Sequence, residues 1–153
     1  MKIIIDDKIP YIRGEFEKWA EVEYLGYDKI TAENIRDAEV LIIRTRTHCD
    51  ASLLERSNIK MIATATIGTD HIDIEWCSNH GIKVVSAPGC NALAVAEWVS
   101  KVLCRWATSC NATLSNETIA IVGYGHVGHE VEKVARNLGM GIRIVDPYIK
   151  GCY

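Results

Sequence analysis

Three glycines, Gly123, Gly125 and Gly128, have the spacing in this chain that most directly indicates chemistry. An apolar run precedes them, and an amphipathic helical repeat follows. In such a unit the first glycine permits a tight turn, the second lets a pyrophosphate approach the backbone, and the third lets the helix pack closely. A helix starting near His126 would direct free N–H groups at the phosphates. The sequence therefore predicts a dinucleotide site that includes the amides of His126 and Val127.

An acidic residue at the end of the next predicted strand indicates which dinucleotide binds. Asp146 follows Gly128 by 18 residues. A carboxylate at this distance can accept hydrogen bonds from the ribose hydroxyls of NAD, and it repels the 2′-phosphate of NADP. The predicted cofactor is therefore NAD. The alternative is an unliganded turn between two strands, which the flanking strand 118–122 and the helix ending at Gly139 make less favourable.

Polar residues also follow two predicted strands in the first ninety residues. Arg44, Thr45, Arg46 and Thr47 come directly after the third strand. In open parallel sheets, ligands bind beyond the carboxyl ends of the strands, and guanidinium and hydroxyl groups suit phosphate or carboxylate. The alternative interpretation is a solvated loop end.

A small, hydroxyl-rich turn containing Thr66 follows the fourth strand and ends at Asp70. Its backbone amides could receive an anion. The alternative is a simple turn in which Asp70 caps the next helix. A third segment, 88–92, precedes a long predicted helix, and Asn91 within it could do no more than cap that helix.

The elements that must position these residues alternate between strands and helices. The predicted strands are Lys2–Ile5, Val22–Leu25, Val40–Ile43, Met61–Ala65, Lys83–Val85, Thr118–Val122 and Ile142–Asp146. The predicted helices cover 12–20, 31–38, 73–79, 91–108 and the segment from about 126 to 138, and Asp50 is expected to cap a turn at 52–56. Continuous apolar strands separated by helices predict an α/β fold with a parallel sheet covered on both faces.

Two domains are expected. Residues 1–90 form a flavodoxin-like, parallel-sheet lobe that binds substrate. Residues 91–153 form an interdomain helix followed by the first βαβ unit of a Rossmann NAD-binding domain. A two-stranded parallel piece with one helix leaves a sheet edge and an apolar face uncovered, so the parent polypeptide is expected to be longer than this chain.

Composition excludes several classes of function. The 153 residues are 48% hydrophobic and 24% charged, with a net charge of −3, which gives no reason to expect nucleic acid or a membrane surface as a partner. The start lacks a signal-peptide pattern, so a cytoplasmic protein is expected. Six cysteines show no metal-binding spacing and are expected to be reduced.

The segments together resemble the D-isomer-specific 2-hydroxyacid dehydrogenases. The residues that carry the resemblance are Arg44-Thr45, Ala63–Asp73, Ala87–Ala92, Ala94–Glu97 and Gly123–Gly128. The resemblance spans essentially the whole chain. It implies a bilobal enzyme, homodimeric when complete, that passes hydride from a small phosphorylated hydroxy acid to NAD. It also implies that Thr45 and Thr66 contact the substrate, that Arg44 helps to neutralise an anionic group, and that Asp146 holds the ribose.

The resemblance assigns no catalytic residue to this chain. The family uses a histidine oriented by a glutamate for proton transfer, and an arginine beside the nicotinamide. None of the three has a counterpart before Tyr153, and His71, His126 and Glu97 are not suitable substitutes. A metal site is not expected either, because His71 lies at a helix start whose acids act as caps. Open alternatives are another dehydrogenase of the family, acting on phosphoglycerate or a simpler 2-hydroxy acid, and a non-catalytic nucleotide-sensing module.

Overall fold

The computed structural model describes residues 1–149, so the predictions for 150–153, including Cys152, lie outside the described residues. The chain divides into two compact units, Met1–Pro88 and Gly89–Tyr153. Both contain parallel strands and helices, which confirms the α/β class. The described part contains no helix that is long and apolar enough to cross a membrane.

The first unit is built on a five-stranded sheet in which every pair of neighbours is parallel, in the order β2-β1-β3-β4-β5. Its strands are β1 (Lys2–Asp6), β2 (Glu21–Leu25), β3 (Val40–Ile43), β4 (Met61–Thr64) and β5 (Lys83–Val85). Two short helices complete it, α1 (Ala51–Leu54) and α2 (Ile74–Asn79). The five predicted strands are therefore confirmed to within a residue or two.

The central strands bury both of their faces. In β1, Ile4 packs into one apolar cluster, and its neighbours Ile3 and Ile5 pack into another on the opposite face. In β3, Leu41 and Ile42 divide in the same way. Because successive side chains of a strand point to opposite faces, a run of β-branched and aliphatic residues fills both layers.

Aspartates cap both short helices: Asp50 caps α1 as predicted, whereas α2 is capped by Asp73 and not by Asp70. The Asp50 carboxylate accepts the backbone N–H groups of Ser52 and Leu53, and that of Asp73 accepts the N–H of Trp76. These bonds satisfy amides that have no acceptor within the helix. Both caps fix the chain directly beyond the sheet edge where the polar segments lie.

Two predicted helices are wrong. Residues 12–20 form a series of turns, because Gly14 adopts a φ of 90°, which a right-handed helix cannot contain. Ile12, Phe16 and Ala20 still pack on the sheet, which explains their helix-like spacing. Residues 31–38 are also turns, since their backbone hydrogen bonds combine one four-residue span with two three-residue spans and form no continuous ladder.

The second unit contains a two-stranded parallel sheet and two long helices. Its elements are α3 (Ala92–Cys110), β6 (Thr118–Val122), α4 (His126–Asn137) and β7 (Gly141–Val145). One face of the sheet packs with Ala96 of α3 and Val131 of α4. The other face is open, and Val122 and Val145 are exposed. The sheet therefore buries only one of its two faces among the described residues.

Helix α3 differs from its prediction in two respects. It ends at Cys110, two residues later than expected, where Asn111 takes the left-handed conformation. Asn91 is the N-cap residue but makes no side-chain capping bond. Trp98 and Trp106 of this helix are exposed.

The buried and exposed cysteines should differ sharply in reactivity. Burial, with smaller contributions from Cys77 and Asp50, raises the pKa of the Cys49 thiol to about 12, and burial also raises the pKa of Cys77. Since the thiolate is the reactive form, we expect iodoacetamide at pH 8 to modify Cys90, Cys104 and Cys110 and to spare Cys49 and Cys77 until the chain unfolds. Peptide mass mapping before and after denaturation checks this. Rapid native labelling of Cys49 would contradict the buried position.

Candidate functional site

The two polar segments of the first unit leave the sheet side by side. Strands β3 and β4 are neighbours, with Ile43 opposite Thr64 in the register. The backbone N–H of Ala65 donates to the carbonyl of Ile43 at 2.8 Å. The segments that contain Thr45 and Thr66 therefore begin at the same edge, as expected for parallel strands.

Arg44 is held by a residue that the sequence analysis missed. Its Nε donates to Asp6 Oδ2 and its Nη2 to Asp6 Oδ1, both at 3.1 Å. Asp6, at the end of β1, is 0% exposed, and its carboxylate also accepts the N–H of Lys8 at 2.9 Å. The bidentate pair fixes the guanidinium and compensates its charge within the unit. In the sequence, the position of Asp6 at the end of an apolar strand could have indicated such a pair.

A cavity of about 290 Å³ opens beyond β1, β2 and β3. The cationic residues that line it are Lys8, Lys29, Arg44 and Arg46, and its acidic residues are Asp7 and Asp28. The Arg46 guanidinium lies 3.9 Å from the centre of the Tyr27 ring and donates to the Tyr27 hydroxyl at 2.8 Å. Neighbouring side chains thus fix Arg44 and Arg46, and the cationic lining of the cavity is suited to an anion.

Thr47 does not contribute its hydroxyl to this surface. The side chain is only 4% exposed, and its Oγ1 has no hydrogen-bond partner among the described residues. Of the four residues in the predicted anion-binding segment, Thr47 is therefore turned inward, whereas Thr45 is exposed.

Removing the Thr47 hydroxyl should stabilise the protein. Burial of a hydroxyl without a partner carries a desolvation cost, so we expect Thr47→Val to raise the free energy of unfolding by about 1 kcal/mol. Thr64→Val is the matched control, because Thr64 is equally buried but hydrogen-bonded, and its variant should lose stability. Urea unfolding of both variants measures the difference. Equal losses would show that Thr47 has a partner in solution.

Buried polar side chains hydrogen-bond to the turn after β4. Thr64 Oγ1 lies 3.1 Å from Thr66 Oγ1 and 3.3 Å from Nε2 of His71. The backbone N–H of Thr66 donates to the same Thr64 oxygen at 3.4 Å. Thr64 and His71 are 6% and 7% exposed, and Thr66 is half-buried. Thr66 is therefore the outer member of a three-residue polar cluster, of which the sequence analysis identified only Thr66.

The glycine turn of the second unit has the form that a pyrophosphate requires. Gly123 has a φ of 90°, which favours glycine. A Cβ built on Gly128 would lie 2.4 Å from the carbonyl oxygen of Gly123, so α4 packs directly on the turn. Apart from its two chain neighbours, no residue among 1–149 places an atom within 4 Å of a Cβ built on Gly125. The space over Gly125 is thus open, beside the first amides of α4, which have no acceptor in the helix.

Asp146 closes the other side of the turn. Its Oδ2 accepts the backbone N–H of Tyr124 at 2.7 Å, and its Oδ1 accepts that of Tyr148 at 2.8 Å. These two bonds, that to Tyr124 being the stronger influence, lower the pKa of the carboxyl. Each oxygen keeps a free acceptor position because a carboxylate can accept about four hydrogen bonds. The ionised carboxylate can therefore hold the turn and still accept from a ribose hydroxyl.

Tyr124, between two of the glycines, is anchored to α4. Its hydroxyl donates to the Glu132 carboxylate, which also pairs with Arg136, and its ring stacks on His129 at 3.9 Å. His126 lies on another side of the turn, where a Cβ added at Gly89 would come within 2.8 Å of its ring. The glycine spacing predicted the residues of the turn. No sequence pattern indicated the side-chain contacts of Tyr124 and His126.

No cluster of three or more potential metal ligands occurs among residues 1–149. His71 contacts a threonine, and His129 bonds the carbonyl of Gly125 through Nδ1 at 2.8 Å.

The sequence profile of the D-isomer specific 2-hydroxyacid dehydrogenase catalytic domain matches residues 3–137, and the chain belongs to this family. The resemblance inferred from the sequence is thereby confirmed. Within the family, the chain is similar to erythronate-4-phosphate dehydrogenases. It is 50% identical to that of Bacteroides thetaiotaomicron over 147 residues, which are 95% of this chain and 42% of the relative. It is 43% identical to that of Porphyromonas gingivalis, over 96% of this chain and 40% of the relative.

Solved structures show the same architecture. The NAD⁺-bound 3-phosphoglycerate dehydrogenase of Entamoeba histolytica matches with a TM-score of 0.73 at 28% identity, covering 98% of this chain and 55% of that one. D-lactate dehydrogenase of Aquifex aeolicus, solved with NAD and lactic acid, matches with a TM-score of 0.71 at 18% identity, over 97% and 52% of the two chains, which shows the fold alone. The chain thus spans about two fifths of the curated relatives and about half of these structures.

Proposed function

We propose that this chain is the amino-terminal part of an NAD-dependent erythronate-4-phosphate dehydrogenase. The reaction is oxidation of 4-phospho-D-erythronate to 3-hydroxy-2-oxo-4-phosphooxybutanoate in pyridoxal 5′-phosphate biosynthesis. The observation that carries this proposal is the 50% identity to an erythronate-4-phosphate dehydrogenase over 95% of the chain. Coverage of only 42% of that relative, and the open face of the β6–β7 sheet, support a longer parent protein.

In this proposal the two units have separate roles. The first is a flavodoxin-like lobe that binds substrate, which its strand order β2-β1-β3-β4-β5 supports. The second contributes the first βαβ unit of a Rossmann domain. A homodimer in the cytoplasm is part of the proposal, and the exposed stripe of Trp98, Val102 and Trp106 on α3 offers an apolar surface for such contacts.

The glycine turn would hold the cofactor. The open space at Gly125 accommodates the pyrophosphate, and the amides of His126, Val127 and Gly128 supply donors to it. Asp146 would accept hydrogen bonds from the adenosine ribose. When bound, NAD supplies the hydride acceptor of the reaction. The protein groups named here bind and orient it, and they do not react.

The sheet edge of the first unit would hold the substrate. Thr45 and Thr66 lie on adjacent segments and offer hydroxyl groups, and Arg44 offers a fixed guanidinium. Arg44 also lines the cavity beyond β1, β2 and β3, where the cations Lys8, Lys29 and Arg46 would favour a doubly charged phosphate through electrostatic attraction. We propose no catalytic residue in this chain, since the family's arginine, glutamate and histidine would come from sequence after position 153.

The chain by itself tests this division of roles. We expect the 153-residue chain to bind NAD weakly, as measured by calorimetry, and to produce no NADH from 4-phosphoerythronate. Reading the coding sequence beyond codon 153, with the intact mass of the native protein, tests whether the parent is longer. NADH production by the isolated chain would show that the catalytic groups have been assigned to the wrong part.

A second candidate is a dehydrogenase that acts on 3-phosphoglycerate, a smaller phosphorylated hydroxy acid. The 28% identity to the 3-phosphoglycerate dehydrogenase of Entamoeba histolytica favours it over other members of the family. Rates with the two phosphorylated acids, measured on protein expressed from the complete coding sequence, distinguish the candidates.

A further inference from the structure

Thr64, Thr66 and His71 form a hydrogen-bonded cluster at the turn after β4. We propose that His71 and Thr64 form a one-way hydrogen-bond chain that presents the Thr66 hydroxyl as a donor to an anionic oxygen of the substrate. This inference rests on the proposed function, in which Thr66 contacts substrate. It assigns positioning roles to two residues that do not themselves reach the ligand.

The proton inventory of Thr64 accommodates this direction. A hydroxyl group has one proton and two acceptor positions. The backbone N–H of Thr66 occupies one acceptor position of Thr64 Oγ1. Thr66 also places two oxygen atoms near this hydroxyl, its Oγ1 at 3.1 Å and its carbonyl oxygen at 3.5 Å, and the carbonyl can only accept. In the proposed arrangement the Thr64 proton is directed to Thr66 Oγ1, and the remaining acceptor position of Thr64 accepts from His71.

His71 then donates from Nε2 to Thr64, across 3.3 Å. Burial, aided by the nearby His48 and opposed by Asp70, lowers the pKa of the His71 imidazole, so the ring is neutral at neutral pH. A neutral ring carries one proton, which this arrangement assigns to Nε2. Thr66 Oγ1 accepts from Thr64 and keeps its own proton for an outward bond. A phosphate or carboxylate oxygen can only accept, so this is the direction that binds substrate.

Simple packing is the competing role for His71. The residue is buried, and its carbonyl accepts the N–H of Cys49 at 2.8 Å, which joins the turn to the segment before α1. Any side chain of similar size would serve a packing role. A donor at Nε2 is needed only if the hydrogen-bond chain supports substrate binding. The two roles therefore predict different effects on substrate binding for variants of equal length with and without a donor.

A pair of variants at His71 separates these roles. His71→Gln keeps an N–H donor near the Nε2 position, whereas His71→Met has similar length and no donor. In protein expressed from the complete coding sequence, we expect His71→Met to raise KM for 4-phosphoerythronate about tenfold with little change in kcat, since a ground-state hydrogen bond is weakened. His71→Gln should stay within about threefold of wild type by the same reasoning. The exposed His80, changed to Met, is the matched control and should leave KM unchanged.

The tautomer of His71 gives a second readout that needs no turnover and no substitution. Nitrogen-15 NMR of the histidine rings in the same protein should show the His71 proton on Nε2. An Nδ1 proton, or equal KM values for the Gln and Met variants, would overturn the inference. If wild-type protein oxidises no phosphorylated hydroxy acid, the proposed function fails instead. The His71 tautomer then tests the direction of the hydrogen-bond chain independently of the reaction.

Discussion

Replacing Gly125 with alanine should weaken NAD binding about 100-fold, near the upper end of the roughly 1–3 kcal/mol that overpacking costs. The new methyl group would project into space where, apart from the chain neighbours, no atom of the described residues lies within 4 Å. The backbone φ of −83° at Gly125 is one that alanine adopts readily, so the free energy of unfolding should change by less than about 0.5 kcal/mol. Calorimetric titration with NAD and urea unfolding, both on protein expressed from the complete coding sequence, measure the two effects.

Gly128→Ala is the matched control for this prediction. Its methyl group would lie 2.4 Å from the carbonyl oxygen of Gly123, which is backbone and cannot rotate away. We expect this variant to lose about 2 kcal/mol of stability as well as NAD affinity. Of the two variants, only Gly125→Ala should therefore lose NAD affinity while its free energy of unfolding stays nearly unchanged. Undiminished NAD affinity in the Gly125 variant would show that the pyrophosphate does not bind at this turn.

Arg44→Ala should destabilise the first unit by about 3 kcal/mol, because breaking a buried ion pair leaves an uncompensated charge. Asp6 is 0% exposed, and the Arg44 side chain is 26% exposed. Without the guanidinium, the carboxylate would keep, among the donors of residues 1–149, only the backbone N–H of Lys8. Urea unfolding, followed by circular dichroism, measures the loss.

Arg46→Ala is the control for Arg44 because it removes the same side chain two residues away. Arg46 is exposed and contacts Tyr27 through its ring and hydroxyl, so a loss of less than about 1 kcal/mol is expected. Similar losses for the two variants would show that the pair with Asp6 contributes no more than a surface contact. If Arg44→Ala reduced substrate affinity but left stability unchanged, the pair with Asp6 would likewise contribute no more to stability than a surface contact.

The sheet could be predicted from the sequence because its strands are short apolar runs between turn residues. Lys2–Asp6 and Val40–Ile43 bury side chains on both faces, and no other element type accommodates such runs between polar turns. The helix starts at Asp50 and Asp73 were also predictable, since a capping carboxylate acts on amides two or three residues away.

The segment 12–20 could not be predicted by the same reasoning. Its apolar residues recur at helical spacing, but Gly14 takes a positive φ and the chain turns there. Spacing reports which residues reach the core, and it does not report the backbone conformation that brings them there. Tertiary packing therefore determined this segment more than local periodicity did.

The candidate site was predictable where backbone geometry defines it. Gly123 and Gly128 have the positive φ and the close packing that the glycine spacing implied. The side-chain partners were not predictable, because Asp6 lies 38 residues from Arg44 and meets it only across paired strands. His71 and Thr64 were hidden for a different reason, since a turn with capping acids accounts equally well for their sequence.

The most direct test of the account is NADH formation by protein expressed from the complete coding sequence that contains this chain. Absorbance at the nicotinamide band, with NAD and either 4-phosphoerythronate or 3-phosphoglycerate, reports the reaction and its substrate together. We predict NADH from 4-phosphoerythronate at a much higher kcat/KM than from 3-phosphoglycerate. No NADH from either acid, or a preference for 3-phosphoglycerate, would contradict the proposed function.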